Sequence, residues 1–267
     1  MGELILVGMG LCDEKDVSLR GIEEMKNADI IFAELYTSFM PRFSIPRLEE
    51  VVGKKILVVS RRVLEEEDGQ MILREARKGK AVLLVPGDPL IATTHVDLRI
   101  RAEKEGIKSR VIHGASIISA VIGLSNLQYY KFGRSVTIPF TDRSFVSETP
   151  YEVITENKKI GLHTLCFLDV RAEEKRYMTI GDALNIIKLL EEKRRMEVAT
   201  LNTLVVGIAR AGSTDSVVKA GYINEIKHYD FGAPPHCLIF PGKLHFMEAE
   251  ALVVLADAPE EVRRLAN

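Results

Sequence analysis

No tryptophan occurs in the 267 residues, and only three cysteines do, Cys12, Cys166 and Cys237. Three thiols cannot all pair and show no metal-ligand spacing, which excludes a disulfide scaffold and a zinc ribbon and predicts reduced thiols in a cytoplasmic protein. Charge of one sign is missing too. The 36 Lys+Arg and 38 Asp+Glu leave a net charge of −2, which argues against a dedicated nucleic-acid binder. No window approaches the roughly 20 apolar residues of a membrane span. The opening residues, Met1 to Gly8, have neither a basic stretch nor a small-residue cleavage site, so no signal peptide is expected. Leu6 stands where a myristoylation motif carries Ser or Thr.

The common catalytic signatures are also absent. Gly8-x-Gly10 begins like a dinucleotide fingerprint, but position 13 is Asp13 where the third glycine belongs, so an NAD-type pyrophosphate site is not expected. There is no phosphate-binding Gly-x4-Gly-Lys-Ser/Thr loop and no Gly-x-Ser-x-Gly nucleophile elbow. The six histidines, at 95, 113, 163, 228, 236 and 245, show no zinc-ligand spacing, and no metal is expected.

What is present is 46% apolar and 28% charged residues, ordinary for a folded chain, in a length that suits two domains. The central stretch is Leu83-Leu84-Val85-Pro86-Gly87-Asp88-Pro89-Leu90. An apolar run from Ala81 reads as a buried strand, stopped by Pro-Gly, where Pro fixes φ and Gly permits conformations closed to other residues. It is one of several alternating elements. Strands are predicted at 4–7, 29–36, 55–59, 81–85 and 108–113. Helices are predicted from Asp16 or Ser18 to Asn27, over 45–52, from an Asp68 cap to Lys78, and over 92–105. That alternation predicts a parallel α/β sheet with right-handed crossovers. Ligands bind such sheets at the carboxyl ends of the strands.

A boundary is expected before Gly114-Ala115-Ser116, giving domains 1–113 and 114–267, with a small-residue helix starting near Ser116. Beyond it, strands are predicted at 135–138, 163–170, 203–208 and 236–240, with 216–222 antiparallel. Thr149-Pro150-Tyr151-Glu152 and Thr179-Ile180-Gly181-Asp182 both have capping-box spacing at helix starts. Ile180, Ala183, Leu184, Ile187 and Leu190 fall on one helical face. A last helix is expected over 244–255, with a short one after Pro259.

Gly8-Met9-Gly10-Leu11, Pro86-Gly87-Asp88-Pro89 and the helix start at Ser116 together resemble the tetrapyrrole-methylase superfamily. Further blocks are similar to its diphthine synthase family: Phe32 to Ser38, Pro86 to His95, Tyr130-Lys131-Phe132-Gly133, His163-Thr164, Ala209 to Ser213 and Pro234-Pro235-His236. The similarity runs through nearly the whole chain, departing mostly in 141–149 and 191–202. It implies two α/β domains with a cleft between them for S-adenosyl-L-methionine (SAM), and a cytoplasmic homodimer. It implies methylation of the amino group of a 3-amino-3-carboxypropyl-histidine in elongation factor 2, giving diphthine and S-adenosyl-L-homocysteine. Carried over by motif, the cofactor contacts are Leu11, Asp88, Ile91, Ser116, Ile117, Leu168, Ala211 and His236. By residue type alone, Asp88 and Ser116 also suit helix caps, and the apolar members suit a core. Another superfamily activity, on a corrinoid precursor or ribosomal RNA, and a non-catalytic SAM-binding protein are the rival readings. No catalytic residue is assigned.

Overall fold

Leu4 to Val7 have no solvent exposure, and neither face of the strand they form reaches water. In the computed structural model, which describes residues 2–141 and 146–266, this is β1 (Glu3–Gly8). There follow α1 (Leu19–Lys26), β2 (Ile30–Glu34), α2 (Ile45–Val52), β3 (Ile56–Val59), α3 (Gln70–Lys78), β4 (Lys80–Val85), α4 (Val96–Lys104) and β5 (Lys108–Ile112). The five strands form one parallel sheet in the order β3-β2-β4-β1-β5. Side chains alternate across it with the strand period of two. Ile5, Val7, Ile31, Ala33, Val82 and Leu84 pack with Met25 of α1 and Leu48 and Val52 of α2. Leu4, Leu6, Phe32, Leu83 and Val85 pack with Leu73 and Ala76 of α3 and Leu98 and Ala102 of α4. A parallel sheet covered on both faces must read as continuous apolar runs, and these strands do.

The chain thus leaves β1 for one face and β4 for the other. These two strands are neighbours, so their exit loops part between them. This is a topological switch point, the place where open α/β sheets form a crevice at their carboxyl ends.

Two compact units account for the chain: Met1–Ile117 with Arg171–Lys175, and Ile118–Val170 with Arg176–Asn267. The first unit therefore runs four residues past the expected 113 and also takes in a short later segment. After α5 (Ile117–Ser125) come β6 (Val136–Ile138), α6 (Thr149–Lys159), β7 (Thr164–Leu168), β8 (Val170–Arg171), β9 (Arg176–Tyr177), α7 (Ile180–Arg194), β10 (Leu204–Ala209), β11 (Val217–Tyr222), α8 (Ile223–Ile226), β12 (His236–Phe240) and α9 (Phe246–Leu255). The second sheet, in the order β11-β10-β12-β7-β6, is mostly antiparallel; only β6 and β7 run parallel. Residues 142–145, in the loop expected before Pro150, lie outside the described residues. Among the described residues no helix is long and apolar enough to cross a membrane.

Several local expectations are corrected. Asp68 does not cap α3: it takes φ +58°, Gly69 stands at the cap, and the carboxylate pairs with Arg101 at 2.9 Å. Helix α4 starts at Val96 rather than 92, because 90–95 form turns and Ala92 takes φ +56°. Thr149 is already helical, and Glu148 precedes it with its carboxylate bound to Lys193 and Arg194. The second capping box forms as expected: Thr179 Oγ1 accepts from Asp182 N at 3.1 Å, and Asp182 Oδ2 accepts from Thr179 N at 3.1 Å.

In the second unit, buried Glu248 on α9 accepts from Gln128 N, His245 N, His163 Nε2 at 3.0 Å and Lys131 Nζ. His163 Nδ1 accepts from Gly242 N at 2.9 Å, so the imidazole is neutral with its proton on Nε2. Burial pushes His163 below the usual histidine range. Burial would raise Glu248, but its four donors outweigh that and hold it below the usual carboxylate range. Both folded-state values are depressed, so both groups stabilise the fold at neutral pH and lose that contribution as pH falls. The predicted loss begins below the ordinary histidine value of about 6.5, with a slope of up to about 1.4 kcal/mol per pH unit for His163, and deepens below about 4.5 as Glu248 is reached. Urea unfolding midpoints at about pH 7 and pH 5 check this. A midpoint that does not fall would contradict it.

Candidate functional site

Three strand ends meet where no side chain could fit between them. A Cβ on Gly8, at the end of β1, would lie 2.5 Å from Gly114 N and 2.5 Å from Gly87 O. One on Gly114 would lie 2.4 Å from Gly87 O. Hydrogen bonds close the arrangement: Met9 N to Val85 O at 2.8 Å, Gly87 N to Gly10 O at 2.7 Å and Gly10 N to Gly87 O at 3.3 Å. Gly10 takes φ +79°, and a Cβ there would meet Asp16 Cβ at 2.3 Å. That close approach lets Asp16 Oδ2 accept from Leu11 N at 3.0 Å and Cys12 N at 2.7 Å. Leu11 is thereby fixed by its backbone, next to the β4 exit.

Asp88 is buried. Its Oδ1 accepts from Leu90 N at 3.0 Å, capping a tight turn rather than α4, and its Oδ2 lies 2.7 Å from His113 Nδ1. Ile91 N donates to Asp88 O at 3.3 Å, and the Ile91 residue is 41% exposed. Ser116 and Ile117 follow Gly114 and open α5. The first unit therefore brings Leu11, Asp88, Ile91, Ser116 and Ile117 to the tips of β1, β4 and β5.

The same loop is anchored at its far end. Buried His95 places Nε2 3.3 Å from Glu34 Oε1, without hydrogen-bond alignment. Glu34, fully buried at the end of β2, accepts from Tyr36 N at 3.0 Å, Thr37 N at 3.1 Å and the Thr37 hydroxyl. Burial first, and then the charges of Glu34 and Glu65, push the Tyr36 phenol well above its ordinary value, so it stays neutral.

The second unit gathers Leu168, Ala211 and His236 at one end of its own sheet. The antiparallel pairings Ala209↔His236 and Phe167↔Cys237 put the ends of β7 and β10 beside the start of β12. Ala211 follows Arg210, which takes φ +50°. The Arg210 guanidinium donates to Asp215 Oδ2 and O, each at 3.0 Å, to Phe231 O at 2.7 Å and to Ala233 O at 2.5 Å. This one side chain ties two loops together around Ala211. His236 Nδ1 accepts from Ile180 N at 3.4 Å and Nε2 donates to Gly232 O at 3.2 Å. Burial pushes this imidazole below its usual range. Both its nitrogens are engaged inside the second unit, and its ring lies 5.9 Å from that of Phe231.

Sequence reasoning passed over Glu34, Arg210 and His113 as site residues. A carboxylate closing the apolar run Ile30–Ala33, and a histidine at the tip of a predicted strand, were the available signals.

Residues 3–227 match the family model of the Tetrapyrrole (Corrin/Porphyrin) Methylases. The diphthine synthase of Methanosarcina mazei is 49% identical over 97% of this chain and 98% of that protein. That of Methanocella arvoryzae is 47% identical over 95% and 98%. A crystal structure of a diphthine synthase superposes with a TM-score of 0.89 at 43% identity, covering 99% of this chain and 100% of that one. The chain belongs to the tetrapyrrole methylase family and, within it, to the diphthine synthases.

Proposed function

We propose that this protein methylates the amino group of a 3-amino-3-carboxypropyl-histidine in elongation factor 2, the diphthine-forming reaction of diphthamide biosynthesis, with SAM as donor. Supporting this reading is the meeting of glycine-edged strand tips at the switch point of a methylase-family chain. SAM fits the donor set at those tips. Gly8, Gly87 and Gly114 bring the three backbones together with no side chain between them. Leu11 and half-exposed Ile91 add apolar surface, and Asp88 adds a carboxylate of the sign that suits a cation. The residues that hold the cofactor are Leu11, Asp88, Ile91, Ser116 and Ile117 in the first unit and Leu168, Ala211 and His236 in the second.

When bound, SAM supplies a methyl group already activated on a sulfonium, so the protein need provide no nucleophile. Its own task is alignment, worth most when the binding groups are fixed before the ligand arrives. Asp16 fixes the Leu11 amide, the Leu90 amide fixes Asp88, and Arg210 fixes the turn at Ala211. The same reading places the enzyme in the cytoplasm as a homodimer without a metal. Its near-neutral charge suits a protein substrate better than a nucleic acid.

Mass spectrometry of elongation factor 2 bearing the aminocarboxypropyl-histidine, after incubation with this protein and SAM, is expected to show one or more added methyl masses on that one peptide. No addition, with methylation of a corrinoid precursor or ribosomal RNA instead, would overturn the substrate. Asp88→Ala is expected to weaken SAM binding at least tenfold, about 1.4 kcal/mol, in calorimetry. An unchanged affinity would remove Asp88 from the site.

A further inference from the structure

Among the described residues, three histidines stand beside carboxylates, and the pairs differ in one respect. His95 with Glu34, and His163 with Glu248, are buried on both sides. In the third, Asp88 is buried but the His113 side chain is 74% exposed. A carboxylate cannot donate, so the 2.7 Å contact is Nδ1–H to Asp88 Oδ2, and it leaves Nε2 as the free acceptor. Asp88 cannot swing, because its other oxygen holds Leu90 N. His113 directly follows β5 and precedes Gly114, at the meeting point of the three strand tips. The neighbouring stretches Gly8–Leu11 and Gly114–Ile117 carry no titratable side chain, so Asp88 is the charge set against this imidazole.

We propose that His113 is a catalytic residue: its Nε2 takes the proton from the substrate amine. The proposal rests on the methyl-transfer reading above. A primary aliphatic amine beside a carboxylate is mostly protonated at pH 7, where it has no lone pair to offer. The ammonium N–H bond breaks, the electron pair stays on the substrate nitrogen, and the proton forms a bond to Nε2. The imidazolium so formed is stabilised by Asp88, which holds the ring in the correct tautomer throughout. Its exposure then lets the proton pass to water, resetting the base.

His113→Ala and His113→Gln test this at saturating SAM in single turnover on modified elongation factor 2. At pH 7 both are expected to lose about 100-fold in rate. Calorimetric SAM affinity is expected to stay within about threefold, since all the residues proposed to hold the cofactor remain. The variants' rate should climb by up to about tenfold per pH unit above pH 7 and approach wild type only as the pH reaches the amine's own pKa. Added imidazole should restore His113→Ala. Nitrogen-15 NMR of the wild-type protein, free of ligand, should find the neutral His113 ring in the tautomer protonated at Nδ1. A pH 7 rate within twofold of wild type, an equal loss at every pH without imidazole rescue, or the opposite tautomer would each overturn the role of His113. Absence of turnover in wild-type protein that binds SAM would instead overturn the methyl-transfer reading, and this proposal with it.

Discussion

The approach of the backbones of Gly8, Gly87 and Gly114 sets the geometry of the first unit's ligand-facing edge. At these separations a side chain on Gly8 or Gly114 would overlap a carbonyl or amide, so three tips that would otherwise splay are drawn together and locked by the reciprocal Gly10–Gly87 hydrogen bonds. Everything proposed to touch the cofactor from this unit hangs from one of those tips. Leu11 follows the first, Asp88 and Ile91 the second, and Ser116 and Ile117 the third. The positive φ of Gly10 and Gly87 turns the chain sharply at both exits, and a side chain there would cost energy even where room exists.

Rigidity comes from carboxylates used as backbone anchors. Asp16 takes two amides after β1, Asp88 one amide after β4, and Glu34 two after β2. Such charge-assisted bonds hold loop backbones where a sheet ladder no longer can. This arrangement suits a reaction that needs orientation more than acid or nucleophilic power. It also leaves few ionisable groups to manage a proton, which makes the one exposed imidazole with a buried partner conspicuous.

The first unit was legible because a doubly covered parallel sheet writes itself as apolar runs; Leu4–Val7 and Ala81–Val85 could hardly be anything else. The Pro-Gly-Asp-Pro turn and the Gly8–Leu11 tip were legible for the same reason, since Gly and Pro have few uses. The antiparallel pairing of β7, β10 and β12 was not, because a buried run carries no sign of strand direction. His113 was not, because its partner lies 25 residues away and only folding joins them. Glu34 and His95 were hidden likewise. The resemblance picked out Tyr130-Lys131 and His163-Thr164, but could not say that Lys131 and His163 serve Glu248 inside the second unit.

Gly114→Ala tests the central constraint most directly, because it adds one carbon at the crossing and alters no polar group. SAM affinity by calorimetry, with urea unfolding on the same sample to establish a folded protein, gives the answer. The account predicts cooperative unfolding at a lowered midpoint and SAM binding weakened at least tenfold, about 1.4 kcal/mol. Wild-type affinity in a fully folded variant would contradict it, and would mean that the cofactor is held elsewhere than at the three tips.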